Sequence, residues 1–240
     1  MSSEILPVYG GTIRTGEYTR QAEVNDGFRM YDAGGWGPRT INASRSNFAN
    51  EVTLASSTKT VLIVDNPETI PDNLTVPETC LIVRGAAGEL NVASTKTLTI
   101  LSPPWWPLAK MFDGAGTISL ADNRHVERLP PQWWGGIADG VTDNVAAIQK
   151  AHDVAKTSCK VLAFTPGVWL TSKVDWSGVS LIGVNVQTTF IKGTAGNDIF
   201  QASGSASGLQ SFLGVQIRNL TFIVNDTSNV SGSLSRGGVG

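Results

Sequence analysis

The sequence predicts an all-β chain whose short strands stack coil upon coil, broken once by a helix. Three observations predict this. Charged residues make up 16% of the chain and glycine fills 26 of 240 positions, whereas an average globular chain is about a quarter charged. Val and Thr suit strands, while Gly and Asn suit turns with positive φ. Short apolar runs return at intervals of about 18 to 20 residues, as coils of a solenoid do. A helical period appears in one stretch only, from about 141 to 157.

The elements follow in order. Residues 1 to about 50 show little periodicity and are rich in turn residues, with Gly10-Gly11 and the run from Asp32 to Pro38. They read as an extended arm, marked by Arg14, Arg20, Arg29 and Arg39. From 51 to about 130, Val61-Leu62-Ile63-Val64, Cys80-Leu81-Ile82-Val83, Leu98-Thr99-Ile100-Leu101 and Ile118-Ser119-Leu120 read as strands bounded by turns. Next, Thr142-Asp143-Asn144 offers N-cap residues. Val145, Ile148, His152 and Ala155 then recur at steps of three and four, with Ala147, Ala151 and Val154 beside them. This predicts an amphipathic helix from Thr142 to about Thr157, with Asp143 as its cap and its negative charge near the N-terminal dipole.

Strands resume after the helix. They are expected at 160–164, 168–170, 179–183, 189–191, 198–200, 215–217 and 220–224, with Thr165-Pro166-Gly167 as a turn. Leu162, Leu181, Phe200 and Ile217 stand 19, 19 and 17 residues apart, the length of a three-faced coil. A parallel solenoid exposes an open end unless something covers it. The helix is placed to plug that end.

Composition excludes several classes. The net charge of −2 and 18 scattered basic residues disfavour a nucleic-acid partner held through phosphates. No long apolar run predicts a membrane span, and the N-terminus MSSEILPVYGG does not read as a secretory signal. The chain is expected to be made in a cytoplasm. Sequons at Asn42, Asn73, Asn219, Asn225 and Asn229 then carry no meaning. Cys80 and Cys159 lie in apolar surroundings and read as buried free thiols. No zinc-ligand spacing occurs.

Candidate sites are few. Asp139 and Asp143 are the nearest approach to the carboxylate pair of a glycosidase, but they flank a turn and a helix start, where capping is the simpler role. Trp105-Trp106 and Trp133-Trp134 could stack on sugars, yet core or interface packing suits them better. Their Pro-rich flanks suggest rigid extended segments. His125 and His152 are the only histidines, and His152 falls on the apolar helix face. No P-loop, nucleophile elbow or dinucleotide fingerprint occurs. No catalytic, cofactor-binding or metal-binding residue is assigned.

The stretch Pro131-Gln132-Trp133-Trp134-Gly135-Gly136-Ile137-Ala138-Asp139-Gly140-Val141-Thr142-Asp143-Asn144-Val145-Ala146-Ala147-Ile148-Gln149 resembles the start of the helical coil domain in phage tailspikes and related pectate-lyase-like depolymerases. Val161 to Trp169, Gly178 to Gly183 and Thr189 to Gly193 resemble the segments that follow it. The lead-in at 97–100 and 111–118 is similar to that of some tailspikes. Where the family has Gly-Asp-Gly, this chain has Ile137-Ala138-Asp139-Gly140.

The resemblance implies a right-handed parallel β-helix with one N-terminal capping α-helix, preceded by a small β-rich segment. It implies three parts: residues 1–50 as a virion-attachment arm, 51–130 as a neck or lead-in domain, and 131–240 as the helix cap and first coils. It also implies a homotrimer in the virion tail, with the arm on tail, baseplate or adaptor proteins and the full spike on host surface polysaccharide. The Gly-rich end from Ser233 to Gly240 has no cap, so a longer polypeptide is expected. The leading expectation is a structural attachment module. The alternative is a polysaccharide lyase or glycoside hydrolase with its catalytic coils beyond this chain.

Overall fold

A computed structural model describes residues 5–8, 11–14, 39–42, 48–55, 60–103, 106–194, 199–202 and 215–223. Among the described residues strands predominate over helices, arranged in short sheets that are parallel except for one N-terminal hairpin. That hairpin joins β1 (Ile5–Val8) and β2 (Gly11–Arg14) antiparallel. Next come β3 (Arg39–Asn42) and helix α1 (Phe48–Ala55). Then follow β4 (Thr60–Val64), β5 (Pro67–Ile70), β6 (Leu74–Val76), β7 (Cys80–Arg84), β8 (Glu89–Val92), β9 (Thr97–Ile100), β10 (Phe112–Gly114) and β11 (Thr117–Ser119). After a 3-10 helix (Pro131–Trp134) and helix α2 (Val145–Thr157) come β12 (Val161–Ala163), β13 (Gly167–Thr171), β14 (Val174–Trp176), β15 (Ser180–Ile182), β16 (Thr189–Gly193), β17 (Phe200–Ala202), β18 (Ile217–Arg218) and β19 (Thr221–Ile223).

The pairing is cyclic. Upstream of α2 the sheets are β3-β4-β7, β5-β8-β10 and β6-β9-β11; downstream they are β12-β15-β18, β13-β16-β19 and β14-β17. From β4 onward each strand therefore pairs not with the strand that follows it but with the one a circuit later, whereas β3 pairs with the next strand, β4, across α1. The register sets like on like. Leu62 faces Ile82, Leu74 faces Leu98 and then Ile118, and Leu162 faces Leu181 and then Ile217. Inward positions alternate with half-exposed ones, as in β4 where Thr60, Leu62 and Val64 are buried, because side chains on a strand point to opposite faces. One apolar cluster runs without a break from Phe48 to Leu220.

Three sequence expectations change. The first concerns helix number: α1 stands where no helix was expected. It buries Phe48 and Val52 and packs against β4, β5 and β6, one strand from each upstream sheet. The second concerns the start of the later helix, which is Val145 rather than Thr142. Its buried face is Ala147, Ile148, Ala151, His152, Val154 and Ala155, as the periodicity indicated. The third concerns register. Phe200 leaves the Leu162 series and pairs with Val174, so Leu181 faces Ile217 directly. The spacing reading failed here because the excursion from β15 to β18 already holds two strands of other sheets.

Close stacking of parallel strands leaves little room at the turns between them. Gly114 has φ +88, and a Cβ there would meet the Val92 carbonyl oxygen and come 2.8 Å from the Val92 nitrogen. Gly135 has φ +86, but a Cβ there would meet only the Lys110 side chain, at 3.4 Å. Gly135→Ala is expected to cost about 1 kcal/mol from the left-handed backbone alone. Gly114→Ala adds a backbone collision and is expected to cost on the order of 3 kcal/mol or more. Urea unfolding of the two variants checks this, and equal losses would contradict the tight corner.

Candidate functional site

The densest polar construction among the described residues lies where α2 meets β13 and β14. A parallel ladder leaves its outer strand with unpaired amides and carbonyls, which are costly to bury. Two of the three downstream sheets are extended upstream by isolated bridges, Leu129 to Leu162 and Asp139 to Val168. Among the described residues the third, β14-β17, has no such bridge. Side chains of α2 take its place. Gln149 Nε2 donates to the Asp175 carbonyl at 3.2 Å, while Gln149 Oε1 accepts from the Asp175 amide at 2.9 Å. The Ser177 amide donates to His152 Nε2 at 3.1 Å. One side-chain amide thus reproduces both hydrogen bonds that a neighbouring strand would make to Asp175.

The residues before α2 continue this edge. The Asn144 amide donates to the Leu170 carbonyl at 2.9 Å. Its side-chain Nδ2 faces the carbonyls of Ile137, Thr142 and Leu170 at 2.8–3.0 Å, and its Oδ1 accepts from the Ile137 amide at 2.7 Å. Asn144 is 2% exposed. Asp143 Oδ1 accepts from the Val145 and Ser172 amides, each at 3.0 Å. It caps the helix from one residue outside, since Asn144 holds the N-cap position. The cap residue expected from the sequence therefore shares the work with Asn144, whose side chain is committed to the coil rather than to the helix.

Both carboxylates are occupied. Asp139 lies outside and accepts from the Val141 and Thr142 amides and the Thr142 hydroxyl at 2.7–2.9 Å. The Thr142 hydroxyl and amide, then the Val141 amide, hold its carboxyl below the usual range. Burial pulls Asp143 upward, but the Ser172 and Val145 amides outweigh it and hold this carboxyl low as well. The two act as turn and helix-start acceptors.

His152 is 2% exposed, with its ring 4.7 Å from Trp176. Nε2 lies 3.1 Å from the Ser177 amide nitrogen and 3.2 Å from the Ser177 carbonyl oxygen, and Nδ1 lies 3.1 Å from Asp153 Oδ1. Ser177, His152 and Asp153 are the residue types of a nucleophile, base and orienting acid. However, Ser177 offers the ring its amide rather than its hydroxyl, and both residues are buried. His125 is exposed and lines a groove of about 410 Å3 with Leu108, Arg128, Pro130, Trp133 and Phe164.

The described tryptophans are core. Trp106 meets Phe112 edge-on at 5.1 Å and Trp133 at 4.7 Å, while Trp134 lies 5.3 Å from Phe112. All three indoles are buried, and Trp133 Nε1 donates to the Pro107 carbonyl at 3.2 Å. Trp105, Arg20 and Arg29 lie outside the described residues, as do the side chains of Arg14 and Arg39. Cys80 is buried, which pushes its thiol up to about 12, and Cys159 is half-buried. A second groove of about 470 Å3 runs between β10, β11 and α2; Asp113 on its lining pairs with Lys110 at 2.8 Å, and Lys110 also meets Glu89 at 3.1 Å. Among the described residues no group of His, Cys, Asp and Glu is placed to hold a metal ion, and no helix is long and apolar enough to cross a membrane. No family model, curated protein or solved structure matches the chain.

Asn144 was legible as one of three possible caps, and Gln149 stood at the end of the stretch that carries the resemblance, with no role assigned to it. Asn144→Ala is expected to cost about 2–4 kcal/mol, because it orphans buried carbonyls. Asn144→Asp should be at least as harmful at neutral pH and partly relieved in acid, where a protonated carboxyl can donate. Gln149→Ala at the exposed rim should cost about 1 kcal/mol. Thermal melts at neutral and acid pH rank the three, and an Asp variant as stable as the parent would refute the donor role.

Acid stability follows from the lowered carboxyls. A carboxyl depressed in the folded state stabilises it above the ordinary carboxyl range. That contribution is lost as pH falls from about 4 through the folded value. Asp143→Ala should lower stability at pH 7 and flatten this acid loss. Denaturation midpoints measured across the range check both signs. An unchanged slope would mean that Asp143 does not contribute to the acid loss.

Proposed function

We propose that this chain is the N-terminal attachment part of a trimeric phage tailspike or tail fibre, anchoring a host-binding spike to the virion tail. In this reading the six parallel sheets wind as a right-handed β-helix, the hand that parallel crossovers overwhelmingly take. α2 closes the edge of its coils. Residues 1–50 are the virion-attachment arm, 51–130 the lead-in and 131–240 the first coils of the spike. The protein is made in the host cytoplasm and incorporated into the tail as a homotrimer, docked on tail, baseplate or adaptor proteins.

The observation that carries the reading is the fate of the polar residues in the tailspike-like stretch. Asp139, Asp143, Asn144 and Gln149 all bond to turns or to the coil edge, as does His152 just after the stretch. A glycosidase needs one carboxyl free to donate a proton and a second free to activate water or attack the sugar. Here the carboxylates of the tailspike-like stretch are held low by neighbouring donors, which suits anchoring better than hydrolysis.

The purified chain is expected to sediment at three times its 25.4 kDa mass. A form lacking residues 1–50 should remain a trimer and be excluded from virions. Incubation with host capsule or lipopolysaccharide should release no sugar. A monomer that enters virions without its arm would end the proposal, and sugar release would replace it with the depolymerase reading.

A further inference from the structure

We draw no further inference here: the strongest candidate, the apolar groove of about 410 Å3 between the loop segments around Leu108 and 125–130 and the turn at Phe164 and Thr165, carries exposed Leu108 and Val184, but nothing in the structure shows what covers it.

Discussion

The structure depends on finishing the open edge of a parallel ladder. Parallel strands borrow their partners from the next circuit, so the first strand of each sheet always has one unpaired side. For β12 and β13 single bridges from Leu129 and Asp139 supply it. For β14 the chain substitutes a helix whose side chains carry matching donors and acceptors. Gln149 presents an amide to the Asp175 peptide group, and His152 presents its ring Nε2 to the Ser177 backbone. Because both lie on α2, the helix cannot rotate or slide without breaking several bonds at once. The polar face therefore fixes the helix in register, while its apolar face supplies the burial.

This changes what the helix is for. A plug would have coils on one side and solvent on the other. α2 instead packs against β12 and β14 downstream and β11 upstream. The aromatic group of Trp106, Phe112, Trp133 and Trp134 fills the join. A second run of rings passes from His152 through Trp176 and Phe200 to Phe222, with neighbouring centroids 4.6–5.8 Å apart. Large rings tolerate the irregular junction because their contact area is large and an edge-to-face approach is favourable at such distances. α2 is thus a partition within one continuous core, and α1 touches the first strand of two upstream sheets and an early strand of the third.

Much of this was legible, for identifiable reasons. β4 and β7 were visible because four apolar residues in a row have few other uses, and α2 because its period held for three turns. β5, β8 and β14 were not, since Pro67-Glu68-Thr69-Ile70, Glu89-Leu90-Asn91-Val92 and Val174-Asp175-Trp176 each show at most two inward apolar positions. Their strand state comes from partners a circuit away. α1 is only two turns long, so Phe48 and Val52 alone could not announce a period. At the site, Asp143 was readable because an N-terminal acceptor is a local device. The role of Asn144 was not, because Leu170 lies 26 residues away and meets it only after the coil has closed.

The same distinction explains why the polar groups between Asp139 and His152 are engaged with their neighbours. A residue kept for catalysis must keep a lone pair or a proton in reserve, and its pKa is tuned toward the working pH. Residues that finish a sheet edge must do the reverse and spend every donor and acceptor on neighbours. Asn144 has no polar atom left over, and the carboxylates of Asp139 and Asp143 are pushed away from neutrality rather than toward it. Ser177 sits beside an imidazole, yet the contact runs through its backbone. Freeing Asn144, Asp139 or Asp143 for chemistry would break the hydrogen bonds that hold the surrounding backbone. In a stack of this kind, reactive groups are compatible with outward-facing positions on coils whose edges are already paired on both sides, not with the edge itself.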